Sequence, residues 1–297
     1  MSELTLSLKN TKRAKTKRSV VSVVIFAVLI VVALTTLFPY VWMILTSFKE
    51  RREAESIDFH FFPETFLIDS YVNLGETTPS FVRAMINTLI IELTVVPIGT
   101  IVSAIAAFAF AKMRLPHKRF FLLFLMSGMM VPYAAVMLPQ YRVFQSIGWV
   151  GDGVGFAQLL PLIVPGLFGN VSMMFFFIQY MKSTPTALIE AARIDGASWL
   201  RTFFSVVLPV IVPAIAAQVI FWFLGIWNDY FAPSIYLSGD WLTLQALVSA
   251  LNDGVSRRAD IPLVMAGATL SSLPMIAVYV FFQKYFIQSL ALTGIKE

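Results

Sequence analysis

The sequence predicts an all-α integral membrane protein with six transmembrane helices and both termini on the cytoplasmic side. Three observations carry this. The 297-residue chain is 58% hydrophobic and only 13% charged, with a mean hydropathy of +0.79, whereas a soluble domain of this size carries about 25% charged residues. Its apolar residues gather in runs of about 20 or more, the length a helix needs to cross the hydrocarbon core. Its Lys and Arg concentrate in the N-terminal tail and in one short connection, the pattern that holds such segments on the cytoplasmic side.

The tail, residues 1–18, carries Lys9, Lys12, Arg13, Lys15, Lys17 and Arg18 against Glu3, net +5. It reads as a basic flank against an anionic membrane surface. The first span, residues 19–48, runs from Val20 to about Phe48, longer than the ~7–15 residues of a signal-peptide core. Residues 49–81 form an outward loop; up to Thr78 it sets three cations against seven acids, net −4. Its Asp58 to Pro63 and Phe66 to Leu74 mix aromatic and acidic residues, suited to the membrane interface or to a partner.

Five further spans are expected within residues 82–290. The second runs from about Met85 to Ala111 and the third from Phe120 to about Leu138, joined by Lys112 to Arg119 with four cations and no acid. Tyr141 to Gly155 reads as a short interfacial helix and turn. The fourth, Phe156 to Met181, is interrupted by Pro161, Pro165, Gly166 and Gly169, breaks that neighbouring helices can tolerate by satisfying the freed backbone groups. The fifth runs from about Phe203 to Tyr230 and the sixth from about Ile261 to Phe286. Between them Asp229 to Asp260 carries net −2 and includes an amphipathic helical stretch, Trp241 to Leu251. Residues 291–297 form a cytoplasmic tail. The positive-inside pattern places the loops around Arg114 and Glu190 in the cytoplasm.

Several chemistries are excluded. There is no Cys, hence no disulfide framework or thiolate chemistry. His60 and His117 are the only histidines and form no ligand pattern. The net charge of +5 resides in membrane flanks, which argues against nucleic acid. Gly151, Gly153 and Gly155 have neither a preceding strand nor a following Lys, so they make no phosphate cradle. No Gly-x4-Gly-Lys-Ser/Thr occurs; if the protein moves solute at the expense of ATP, the nucleotide and its Mg belong to another chain, and this one holds no cofactor.

The polar island between the fourth and fifth spans is the informative motif. Ser183-Thr184-Pro185 offers a hydroxyl cap and a Pro for the first turn of a helix ending near Arg193. Leu188, Ala191 and Ala192 share one face, kept low by the alanines. Gly196 stands where a left-handed residue ends a helix. Ser198 caps a second helix, Trp199 to about Phe204, and Leu208-Pro209 bends the fifth span near its start. The result is a two-helix elbow projecting from the membrane. Glu190, late in its helix, gains nothing from the helix dipole and is expected to meet a basic group, on a partner or at Arg193 or Arg201.

Glu190-Ala191-Ala192, three residues, Gly196, nine residues, Val206, one residue and Leu208-Pro209 resembles the EAA loop of ABC-importer permeases, with Val206 in place of Ile. Phe38-Pro39-Tyr40, Phe62-Pro63, Ala107 to Arg114 and Leu292 to Lys296 are similar to the smaller, MalG-like permease of the maltose-type carbohydrate branch. The resemblance implies a type I importer fold and a pathway shared with a second, MalF-like permease. It implies two cytoplasmic ABC ATPase subunits that bind ATP and Mg, and an extracytoplasmic solute-binding protein that delivers a di- or oligosaccharide. It assigns ATPase coupling to Glu190, Ala191, Ala192, Asp195, Gly196, Leu208 and Pro209, and an ATPase contact to the tail residues Gly294, Ile295 and Lys296. A non-sugar cargo such as glycerol phosphate is the alternative.

Four polar residues inside or at the ends of spans admit a pathway role or a structural one: Asn87 and Glu92 in the second, Asn228 and Asp229 at the end of the fifth. An intramembrane acid is costly and faces a polar interior. An ion-coupled transporter would need more such acids than Glu92, and no catalytic constellation assembles for a membrane enzyme.

Overall fold

The computed structural model describes residues 2–77, 80–151, 153–252 and 260–294. All regular structure among them is helical. Among the described residues, five helical segments are long and apolar enough to cross a membrane: Val21–Thr46, Phe81–Lys112, Gly155–Lys182, Trp199–Trp227 and Ile261–Gln283. A sixth is possible only as a bent pair.

Helix α1, Ser2–Thr46, begins far upstream of the expected span, so the basic tail continues it. The apolar residues Val21 to Leu37 are exposed on every side, a surface suited to lipid. After α1 the chain forms two short helices, α2, Arg51–Ala54, and α3, Asp69–Asn73. Helix α4, Phe81–Lys112, is the central strut. It packs on α7, α8, α11 and α13, because Gly99, Ser103, Ala104 and Ala107 leave one face low enough for close approach.

The third span is not continuous. Helices α5, Lys118–Gly128, and α6, Tyr133–Ser146, meet at 90°. Pro132 has no N–H to extend a helix and biases Val131 toward extended backbone, so the chain turns there. The expected interfacial helix at Tyr141 is thus the end of α6. Gly151, Gly153 and Gly155 all have positive φ, as a tight turn demands. The fourth span is broken as its composition implied, into α7, Leu160–Leu167, and α8, Val171–Lys182. At the break, Ser103 Oγ of α4 accepts a hydrogen bond from Asn170 N at 2.8 Å.

Two short helices follow, α9, Thr186–Ile194, and α10, Trp199–Thr202. A π-helical turn, Phe203–Val207, leads into α11, Leu208–Trp227. At the far end of α11 lie α12, Phe231–Tyr236, and α13, Leu244–Asn252. Helix α14, Ile261–Gly294, outruns the expected sixth span by eight residues past Phe286. It packs on α11 and α1, held in part by Trp227 Nε1 donating to Ser271 O at 3.0 Å.

Three apolar clusters fill the bundle. One joins α4, α8 and the start of α11 through Phe108, Phe177, Phe203 and Ile211. A second joins α4, α6, α7 and α12 through Ile91, Phe144, Ile163 and Tyr236. The third surrounds Trp227 with Leu74, Phe81 and Leu244.

Candidate functional site

The α9–α10 elbow is built from its sequence with one correction. Ser183 and Thr184 do not cap α9. Pro185 occupies the cap position without a side-chain bond. Ser183 Oγ turns back to Tyr180 O at 2.6 Å, and the buried Thr184 offers its carbonyl to Lys112 Nζ at 2.7 Å. The Ser183 hydroxyl satisfies the end of α8 instead of the start of α9. Ser198 does cap α10, accepting from Arg201 N at 3.3 Å. Gly196 stops α9 at φ +79, with open space where a Cβ would lie.

Ile189 anchors the elbow. It is 5% exposed and inserts into the cluster of Phe108, Met181 and Phe203. Sequence reasoning singled out the adjoining stripe of Leu188, Ala191 and Ala192 and missed it, although Ile189 and Ala192 are one turn apart. On the outward side Leu188 and Ile194 are 47% and 86% exposed. Ala191, Asp195 and Gly196 are exposed as well. The elbow thus has an apolar root in the bundle and a partly apolar outer surface.

Glu190 makes no hydrogen bond or ion pair within the described residues. The neighbouring Arg193 is engaged elsewhere: its guanidinium lies 4.6 Å over the Trp199 ring and donates to Ala197 O. Lys112 at the end of α4, with Met113 and Arg114 just after it, joins Glu190, Arg193 and Trp199 in lining a groove of about 620 Å³. The wall carries Lys112, Arg114 and Arg193 against Glu190, so it is net cationic. Neither the groove nor the Lys112 contact is foreseeable from spacing, since 72 residues separate Lys112 from Thr184.

Pro209 lies in the first turn of α11, preceded by the π-helical turn. Pro209 cannot bond Ser205 O and its ring crowds that carbonyl. The widened turn, in which Leu208 N bonds Phe203 O, relieves the clash,. Leu208 is partly buried and Pro209 exposed.

The other polar residues separate. Asn87 Nδ2 donates to Asp240 O at 2.9 Å and Leu242 O at 3.0 Å, fastening the α12–α13 connection to α4. Thr88 Oγ1 adds a bond from Leu244 N at 2.9 Å. Glu92 is 1% exposed, and neither carboxylate oxygen has a hydrogen-bond partner among the described residues. Asn228 Nδ2 bonds Leu224 O at 2.8 Å, while Asp229 Oδ1 accepts from Phe231 N and Ala232 N at 2.9 and 3.2 Å. Gly294 ends α14, and Ile295 and Lys296 lie outside the described residues.

Comparison with known proteins gives a consistent result. Residues 99–292 match the family model for the binding-protein-dependent transport system inner membrane component. The chain is 29% identical over 268 residues to the arabinooligosaccharides transport system permease protein AraQ of Halalkalibacterium halodurans, covering 89% of this chain and 93% of that protein. It is 30% identical over 280 residues to the melibiose/raffinose/stachyose import permease protein MelC of Bacillus subtilis, covering 90% and 94%. In fold it matches a chain of a bacterial ABC transporter involved in the import of the acidic polysaccharide alginate, with a TM-score of 0.74 and 21% identity over 90% of this chain and 96% of that one. With an elbow rooted among membrane-spanning helices and a family match across most of them, the chain belongs to the inner membrane components of binding-protein-dependent transport systems, as a multi-pass permease subunit of an ABC importer.

Proposed function

We propose that this subunit forms half of the pathway for a neutral di- or oligosaccharide, with the α9–α10 elbow in the cytoplasm receiving the stroke of a separate ATPase. A MalF-like permease supplies the other half, two ABC ATPase subunits bind ATP and Mg, and a solute-binding protein delivers the sugar from outside. The names of the relatives support a sugar cargo, and the basic α4–α5 connection beside the elbow supports its cytoplasmic placement. Asn87 clamps the outer connection, Glu92 is a polar group of the bundle interior, Asn228 and Asp229 stand at the outer mouth, and the tail at Gly294 to Lys296 reaches toward the ATPases.

The observation that carries the coupling role is the elbow's two-sidedness. Ile189 locks it to α4 and α8, while Glu190, Leu188 and Ile194 face outward, the carboxylate without a partner among the described residues. Force applied to the outer surface therefore reaches the spans through packed side chains. The test substitutes Glu190→Lys and Gly196→Pro in the assembled importer. Membrane insertion stays intact and ATP-driven uptake is abolished; wild-type uptake by both variants overturns the role. Identifying what the cognate binding protein retains decides between sugar and glycerol phosphate.

A further inference from the structure

A second cavity, of about 270 Å³, opens at the end of α11 opposite the elbow, between α6, α7 and α12. Its polar wall is preorganised. Tyr133 Oη donates to Tyr236 Oη at 2.9 Å, and Tyr236 Oη donates to Gln140 Oε1 at 3.3 Å. Tyr236 is 3% exposed and its ring is held on two sides, stacked on Tyr141 at 6.5 Å and edge-on to Phe144 at 5.4 Å. Tyr133 and Phe231 remain 40% and 41% exposed and meet edge to face at 6.3 Å. Among the described residues, Asp229 is the only charged one on this wall. One of its oxygens holds the α12 amides, and the other has no hydrogen bond within the described residues. A narrower space of about 90 Å³, sharing Leu162 and Asp229, leads on to Thr243, whose buried hydroxyl has no partner among the described residues.

Apolar ring faces beside a few fixed donors and acceptors is the lining of a small-molecule site. A lipid tail has no use for Asp229, Gln140 and a tyrosine pair. A sugar ring does: its C–H face lies on Phe231 while its hydroxyls exchange bonds with Tyr133, Gln140 and Asp229. The volume lies just under the ~300–1,000 Å³ of drug-sized sites, room for one ring. The lone carboxylate repels anions. We propose that this cleft is a subsite for one neutral sugar ring, contributed to the pathway by this subunit, and that Asp229 makes it exclude acidic sugars. The proposal rests on the carbohydrate reading above.

The test places the assembled importer, without its binding protein, in nanodiscs. Saturation-transfer NMR then follows melibiose, lactose and arabinobiose as neutral probes and digalacturonate as the charged one. The neutral sugars bind the wild type and digalacturonate does not. Tyr133→Phe with Gln140→Met removes two polar partners and weakens neutral-sugar binding about tenfold. Asp229→Asn keeps the Oδ1 acceptor for α12 and admits digalacturonate, a change of charge selectivity that a purely structural residue would not produce. No binding of any neutral sugar, equal binding by the double variant, or digalacturonate binding to the wild type overturns the subsite. If the double variant does not assemble, the Asp229→Asn selectivity decides alone. Uptake with the binding protein present separates the two readings: sugar uptake without variant-sensitive binding overturns the subsite alone, and no sugar uptake at all overturns both.

Discussion

Lys112 Nζ donates to the backbone carbonyl of Thr184 at 2.7 Å, tying the last residue of α4 to the chain two residues ahead of α9. It is a charge-assisted bond between the central strut and the root of the elbow. Such bonds contribute about 1.5–3 kcal/mol, and partial exposure of Lys112 places this one toward the lower end. Lys112→Met keeps the apolar stem and removes the donor. The importer assembles, but solute moved per ATP hydrolysed falls severalfold, read from parallel uptake and phosphate-release assays. An unchanged ratio would show that the tie carries no force.

Two glycines respond unequally to the same methyl group. Gly196 has open space around the position of a Cβ and φ of +79, so Gly196→Ala costs only the left-handed backbone, about 1–2 kcal/mol. At Gly99 a Cβ would stand 2.4 Å from the Trp222 ring and 2.5 Å from Gly166 O. Gly99→Ala forces α4 from α7 and α11 and costs about 1–3 kcal/mol or more. Thermal unfolding in detergent separates the two: a small shift for the first, a large one with reduced assembly for the second.

Asn87 holds two carbonyls of the α12–α13 connection. Asn87→Asp preserves shape, removes both donors and sets an acceptor against acceptors. A loss of about 2–3 kcal/mol follows for buried polar groups left unpaired. Limited proteolysis should find new cleavage between residues 237 and 244 while the elbow end stays protected. Wild-type resistance would mean that Thr88 and packing suffice.

Ser198→Ala removes the cap of a four-residue helix, worth about 1 kcal/mol. Hydrogen exchange of the amides at Leu200 to Thr202 quickens, whereas Ser183→Ala, at a hydroxyl that caps nothing on α9, leaves α9 exchange unchanged.

The spans and the elbow were legible because their signals are local. Apolar run length identifies spans, Gly196 marks a left-handed stop and Ser198 a cap. Position 132 shows the limit: run length alone reads Phe120 to Leu138 as one span, yet a single Pro turns the chain by 90° between α5 and α6. Ser183 was assigned to the wrong helix because a hydroxyl between two helices can serve either. Ile189, Lys112 and the Tyr133–Tyr236–Gln140 relay went unseen for one reason: their partners are 72 to 103 residues distant or packed across helices, and no periodicity within one helix reports that.

The π-helical turn at Phe203–Val207 also sets a phase. Buried positions step by four through 203, 207 and 211, then by three through 211, 214, 217 and 220. The additional residue in that turn amounts to about 100° of rotation. Remove it, and Ile211, Ala214 and Ala217 would swing out of the interior while the elbow kept its heading. The join therefore works like an angular offset between two shafts, setting which side of α11 each twist of the elbow presents to its neighbours.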